Sequence, residues 1–300
     1  MSILCRPARE EDLERSDQLV VASINDLTQR HGFGPMATSH PPEFQLFSLK
    51  DDAGGLWVAE EANEIVGFAW SWVCEDLWFL AQLFVSPGHQ GRSLGSELLK
   101  RTFEHAKKSG ATNRALITFT FNTVSQGLYI RNGLFPRFPI YNFSVSRELL
   151  MGRLHGPQFR PVSLEETASD LQELARIDAR VLGVSREKHH RYLMNDKTTR
   201  GVRLYSGEDC VGYAYVSSGG HIGPLAVARS SALGSAFRTA LALAAEIGSP
   251  QVSAFLPGVS EAALSAAVEH GMRITFPMVL MSTRGFGDWT GYLPRNPGFM

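Results

Sequence analysis

The 300-residue chain is 44% hydrophobic and carries 29 basic against 30 acidic residues, a net charge of -1 at neutral pH. It can bury a large core, and its length matches two domains of about 150 residues. The charge balance leaves no uniform positive field for nucleic acid or anionic lipid, which excludes both as partners on electrostatic grounds and points to a small or locally charged substrate.

In chain order, residues 9–30 place Leu13, Val20, Ile24 and Leu27 near one face of a helix. Residues 56–59, 65–74 and 77–85 then read as an antiparallel meander, with turns at Glu61-Ala62-Asn63 and Glu75-Asp76. Its aromatics, Trp57, Phe68, Trp70, Trp72, Trp78 and Phe79, favour strand. A helix over 94–109, a strand over 115–121, a helix over 124–132 stopped by Gly133, and a strand over 141–145 follow. Helix, meander, helix, strand, helix, strand predicts an α/β fold, an α+β mixed and mostly antiparallel sheet flanked by helices.

The same order then recurs. Val66-Gly67-Phe68-Ala69-Trp70 is echoed 145 positions later by Val211-Gly212-Tyr213-Ala214-Tyr215, and Leu83-Phe84-Val85 is echoed by Leu225-Ala226-Val227. Ser93-Leu94-Gly95-Ser96 and Gly133-Leu134 find counterparts in Ala232-Leu233-Gly234-Ser235 and Gly271-Met272. Ordered echoes at slowly drifting offsets predict a duplicated domain, 1–152 followed by 153–300, with its seam in the Gly- and Pro-bearing stretch 152–161. The second copy reads as helix 163–182 with Ser163 as N-cap and Glu166 completing a capping box, strands within 202–227, helix 233–247, strand 252–255, helix 260–270 and strand 276–281.

Cys5, Cys74 and Cys210 are too few and too widely spaced for a disulfide framework or a zinc site. They predict free thiols in a reducing compartment. The first seven residues lack an apolar h-region, and no stretch approaches the ~18 uninterrupted apolar residues of a membrane span. A cytoplasmic monomer or homodimer with no membrane partner is the expectation.

The chemistry lies between Leu83 and Gly133. In Leu83-Phe84-Val85-Ser86-Pro87-Gly88-His89-Gln90-Gly91-Arg92-Ser93-Leu94-Gly95-Ser96, Pro87 ends strand pairing, Gly88 and Gly91 permit a tight loop, and Ser93 and Gly95 let backbone approach a ligand. Such a loop aims several amides at the positive end of a helix dipole, a cradle for pyrophosphate to which Arg92 can add a charge-assisted contact.

These residues resemble the GNAT acetyltransferase superfamily. Its coenzyme signature stands as Gln90-x-x-Ser93-x-Gly95 after Leu83-x-Val85-x-Pro87, and its second signature as Asn122, Leu128-Tyr129 and Gly133-Leu134, together covering roughly residues 3–147. Ser93 replaces the central Gly, which the loop accepts if that residue has a negative φ; Leu134 replaces a Phe, a packing change. The resemblance implies two tandem GNAT-like domains and acetyl-coenzyme A as cofactor. It implies that Leu83, Phe84 and Val85 meet the acetyl group and pantetheine arm and that the segment Gln90, Gly91, Arg92, Ser93, Leu94, Gly95 and Ser96 holds pyrophosphate. Asn122 stands at the site, and Tyr129 faces the sulfur as general acid. A departing thiolate benefits from a proton and a developing oxyanion from a positioned donor.

The family's strand carboxylate is replaced by Phe79, which leaves Glu75 as the candidate base, beside Asp76, or a water chain to backbone carbonyls. His89 reads as solvated and His189-His190 as an exposed helix face, while the tryptophans read as core with one or two available to an acceptor pocket. The second copy has a phosphate loop three residues shorter and Ala267 in place of Tyr129, which predicts a degenerate, substrate-shaping half. The expected activity is acetyl transfer to a primary amine of a small molecule. Acetylation of a protein N-terminus or lysine is the alternative within that chemistry, and a noncatalytic acyl-coenzyme A sensor the alternative outside it.

Overall fold

The aromatic run of the first copy folds as the expected meander, and the rest of that half is laid against it. The computed structural model describes residues 3–300. The chain separates into two units: the first runs up to Phe135 and adds Met281–Arg284, and the second comprises Pro136–Leu280 and Gly285–Met300.

The first unit contains β1 (Leu4–Pro7), α1 (Leu13–Arg30), α2 (Glu43–Asp51), β2 (Leu56–Glu61), β3 (Glu64–Cys74), β4 (Leu77–Val85), α3 (Leu94–Lys108), β5 (Asn113–Phe119) and α4 (Thr123–Arg131). Its sheet runs β1-β2-β3-β4-β5, antiparallel except for the parallel pair β4–β5. Nearly every residue of β3 is buried because both its faces are covered. On one face Gly67 lies under α3, where an added Cβ would meet Leu98 at 2.9 Å, and Ser71 bonds His105 of α3 at 3.1 Å. On the other, Trp70 meets Phe44 of α2 edge-on.

The second unit contains β6 (Phe135–Ser146, beginning at the boundary), α5 (Arg147–Met151), β7 (Arg160–Ser163), α6 (Ala168–Leu182), α7 (Glu187–Asn195), β8 (Thr199–Ser206), β9 (Asp209–Ser217), β10 (His221–Val227), α8 (Leu233–Ile247), β11 (Gln251–Pro257), α9 (Glu261–Glu269), β12 (Arg273–Ser282, whose last two residues count with the first unit) and β13 (Tyr292–Leu293). Its strand order is β12-β6-β11-β10-β9-β8-β7, with β13 on β10. The strand expected to close the first copy is β6, and it pairs with β11, from Ser146 opposite Gln251 to Ile140 opposite Pro257. The stretch 152–161, read in sequence as the seam, therefore lies within the second unit, and the cut falls at Phe135/Pro136. The alanine-rich α8 is buried nearly all round, and Ala263, Ala266 and Ala267 of α9 share its core.

Two sequence readings are corrected. Three further elements, the four-residue strands β1 and β7 and the nine-residue helix α2, are too short to carry a sustained pattern. Ser163 closes β7 and does not cap α6; Thr167 does, its side chain accepting from the Asp170 amide. His189 and His190 are not an exposed face: they are 2% and 1% exposed. His190 joins Asp178 at 3.0 Å and Tyr215 at 3.1 Å, and Asp178 forms a buried ion pair with Arg186 at 2.8 Å. Arg186 also donates to the hydroxyls of Tyr292 and Tyr213 and to the Met300 carbonyl. Burial alone would raise the Asp178 carboxyl, but the Arg186 charge beside it holds it below the usual range. A pair so enclosed is stable only because nearly every donor and acceptor is used. Among the described residues no helix is long and apolar enough to cross a membrane, and no cluster of His, Cys, Asp or Glu could hold a metal.

His221 on β10 makes the second unit acid-sensitive. Its Nε2–H donates to the Arg295 carbonyl, Nδ1 accepts from the Ser253 hydroxyl at 2.8 Å, and burial pushes its pKa from 6.5 down to about 4. Between those values the unfolded chain binds the proton and the folded chain does not, so stability is full above pH 6.5 and falls as pH drops toward 4. Chemical denaturation at pH 7 and pH 5 should show a lower midpoint at pH 5, with part of that difference removed in His221→Gln. Equal midpoints in the parent protein would contradict this account.

Candidate active site

The site begins with a fault in the sheet. Leu80 stands opposite Ser71 but Gln82 stands opposite Trp70, so Ala81 is an extra residue, a β-bulge, on β4. Before the bulge β4 pairs with β5, Leu77–Leu80 against Asn113–Leu116; beyond it that pairing stops. The Ser86 amide donates to Val66 on β3 at 2.9 Å. Strand alternation turns the Phe84 amide the same way and those of Leu83 and Val85 to the opposite edge, into the gap left by β5.

A cleft of about 370 Å³ opens at this gap. One wall is Leu83, Phe84 and Val85, and the floor is His89, Gln90, Gly91, Ser93, Leu94, Gly95 and Ser96. Gly91 and Ser93 have φ of +77° and +60°. These left-handed residues fold successive amides toward one side, the way backbone nests are built. No amide from Gly91 to Ser96 has a hydrogen-bond partner among the described residues; the first helical bond of α3 is from Glu97 to Ser93, at 3.1 Å. Six unpaired donors at the positive end of a 15-residue helix are an arrangement suited to holding an anion. The expectation of a negative φ at Ser93 is corrected: the residue stands in the left-handed region, which it enters with a Cβ.

The loop is held in place from below. His89 bonds Ser86 Oγ at 2.7 Å and Glu61 on β2 at 3.0 Å, so it is an anchor and not a solvated side chain, and it draws the Glu61 carboxyl below its usual range. The Gln90 side chain donates to the Val85 carbonyl at 3.2 Å. Gly95 is helical; a Cβ there would stand 3.8 Å from Leu128 and 3.9 Å from Val85, between two cleft walls.

The remaining sequence-derived residues divide. Asn122 lines the cleft and caps α4, accepting from the Ser125 amide at 3.2 Å. Arg92 lines an adjoining pocket of about 400 Å³ with Cys5, Glu97 and Lys100. Tyr129 is absent from the cleft wall, where Leu128 stands; it is 5% exposed, its hydroxyl has no partner among the described residues, and burial keeps it protonated well past its ordinary range. Glu75 is corrected outright. It sits in the β3–β4 turn, at the far end of β4, roughly 25 Å from Leu83 at about 3.3 Å per residue. Asp76 beside it is committed to Thr112 and Arg284. None of the tryptophans lines the cleft.

Sequence reading missed one wall altogether. Ser23, Leu27, Arg30 and His31 of α1 and its C-cap face the cleft, as do Phe121, Val124 and Arg131. Positions 23, 27, 30 and 31 share a helix face, and that spacing was the available signal. Phe121 stacks on Phe33 at 4.8 Å and meets His31 at 4.9 Å. The wall contains two arginines and two histidines and no carboxylate.

Residues 21–134 match the acetyltransferase (GNAT) family. No curated protein matches the sequence. Among solved structures, a presumed acetyltransferase of Pyrococcus horikoshii is similar over 99% of this chain and 96% of its own, at 16% identity and a TM-score of 0.76. A GCN5-related N-acetyltransferase of Sphaerobacter thermophilus is similar over 96% of this chain and 98% of its own, at 14% identity and 0.65. A tandem GNAT protein of the clavulanic acid biosynthesis pathway is similar over 94% and 98%, at 14% identity and 0.62. At these identities the structures establish the fold. The chain thus shares the fold of these proteins, a tandem GNAT protein among them, and its residues 21–134 match the acetyltransferase (GNAT) family.

Proposed function

We propose that the protein moves an acetyl group from acetyl-coenzyme A to a primary amine of a small molecule, at the cleft of the first unit. The observation that carries this reading is the run of six unpaired amides, Gly91 to Ser96, at the head of α3 beside the open edge of β4. Acetyl-coenzyme A supplies an activated thioester. The chain's own contribution is to bind and orient it. The amides from Gly91 to Ser96 take the pyrophosphate, Arg30 and Arg131 add positive charge on the wall, and the N–H groups of Leu83 and Val85 are offered to the acetyl and pantetheine end.

With no carboxylate on the wall, the amine's proton leaves through water along the backbone carbonyls of the open β4 edge, and no side-chain base is assigned. Tyr129, which stands behind Leu128 of the wall, is assigned the return proton to the departing sulfur, from a hydroxyl that nothing else in the described chain engages; that role requires its ring to turn into the cleft when the coenzyme is bound. The missing carboxylate also favours a second reading, an acyl-coenzyme A sensor without turnover. Release of free thiol with a panel of amines separates the two: amine-dependent release supports the transferase, and its absence with bound coenzyme supports the sensor.

Two loop substitutions test the anion site. Gly95→Glu should abolish coenzyme binding in titration calorimetry with the fold intact, because the side chain and its charge enter the space between Leu128 and Val85; affinity within a few-fold of the parent protein would refute the placement. Ser93→Gly should raise stability by about 0.5–1 kcal/mol in denaturation, since it removes the cost of a left-handed non-glycine residue. A loss would show that the loop does not hold this conformation.

Tyr129→Phe tests the proton donor. General acid catalysis is typically worth about 10² to 10⁴-fold. The single-turnover rate, and with it kcat and kcat/KM, should fall by that factor while coenzyme affinity stays level. An unchanged single-turnover rate would return Tyr129 to a packing role.

A further inference from the structure

The second unit repeats the fault in the sheet. By the echo of Leu83-Phe84-Val85 in Leu225-Ala226-Val227, β10 is the counterpart of β4. It carries a register shift at the matching place, with Ile222 opposite Val216 and Leu225 opposite Ala214. It pairs in parallel with β11 only at His221–Ser253 and Ile222–Ala254, after which the pairing stops. In the first unit this gap is the cleft.

In the second unit the gap is filled by the chain itself. Leu225 and Ala226 pair antiparallel with Leu293 and Tyr292 of β13, and the Val227 amide donates to the Gly291 carbonyl at 3.0 Å. Val227 is the counterpart of Val85, whose amide faces the open cleft. The filling segment is a built core element: Trp289 is 3% exposed, and Tyr292 and Leu293 are fully buried. Three anchors outside the ladder hold it. Arg186 donates to the Tyr292 hydroxyl at 2.8 Å and to the Met300 carbonyl, and His221 donates to the Arg295 carbonyl. The anion cradle is reduced as well, with five residues between Val227 and Leu233 where eight separate Val85 from Leu94.

We propose that Gly291–Leu293 is a built-in ligand of the second unit, taking there the place that the pantetheine arm takes in the first; this rests on the coenzyme reading of the first cleft. The ligand class that the β10 edge accepts is an extended chain with alternating amide donors and acceptors, a description that covers a peptide strand and a pantetheine arm alike. Because this ligand is tethered to the same chain, it outcompetes a free acyl-coenzyme A by effective concentration, and the second cleft is closed to acyl-coenzyme A independently of its shortened loop.

Hydrogen exchange at the β4 and β10 amides of the full-length protein, with and without saturating acetyl-coenzyme A, tests this. Leu225 and Val227 should be protected in the free protein and unchanged by coenzyme, whereas Leu83 and Val85 should exchange rapidly when free and slow by about tenfold or more on binding. Rapid exchange at Leu225 and Val227 in the free protein would overturn the inference while leaving the first cleft's reading intact. If instead Leu83 and Val85 ignore the coenzyme, the first cleft's reading fails and the comparison with a pantetheine arm falls with it. Leu293→Pro, which removes a ladder donor, should speed exchange at Leu225 and Val227 by about tenfold without affecting Leu83 and Val85. Unaltered exchange in that variant also overturns the inference. Should the variant not fold, the parent protein's exchange pattern decides alone.

Discussion

Parallel strands that part beyond a bulge leave backbone donors and acceptors with no neighbour, and a partly buried amide or carbonyl without a partner is costly. That constraint governs both halves of this chain. At Ala81 the ladder between β4 and β5 ends, and the Leu83 and Val85 amides turn into a cleft that water or a ligand must satisfy. On β10 the same debt is settled internally, with Gly291, Tyr292 and Leu293 laid along the exposed edge. One architecture thus yields an open site and a closed one, and the difference lies in which atoms complete the ladder.

Around the open gap, the parts of the first unit serve distinct physical ends. The helix α3 concentrates partial positive charge at its head, and the left-handed turns at Gly91 and Ser93 direct the loop amides to the same side. The Glu61–His89–Ser86 chain ties that loop to β2 at 3.0 and 2.7 Å, so the donors are positioned before any ligand arrives. Such preorganisation lowers the ordering cost of binding. The two arginines on the wall, with no carboxylate beside them, set a sign of charge that suits an anion and offers nothing to a cation.

Much of this was legible in the sequence because local rules carry it. The meander follows from alternating aromatics and turn residues, the loop from Pro87, Gly88 and Gly91, and the duplication from echoes in fixed order. What escaped depends on three-dimensional placement. Glu75 is near Leu77 in sequence, but a strand carries each residue about 3.3 Å further on, and the turn ends up at the wrong end of β4. The His189-His190 pair looks polar and therefore exposed; burial became possible only because Asp178, Arg186 and Tyr215 converge on it from α6, the head of α7 and β9. The α1 wall carries no motif, only a shared face. The filling of the second cleft could not be read at all, since Gly291-Tyr292-Leu293 is too short for a strand pattern and its partner β10 lies more than sixty positions earlier.

The central claim is that one cleft per chain is open and the other is occupied by the chain itself. Calorimetric titration of the full-length protein with acetyl-coenzyme A reads this most directly, because the two clefts belong to one polypeptide and the molar ratio counts them. The account predicts saturation at one equivalent per chain. Two equivalents would show that the β10 edge is free to bind, and no binding at all would show that the amides at the head of α3 do not form the site.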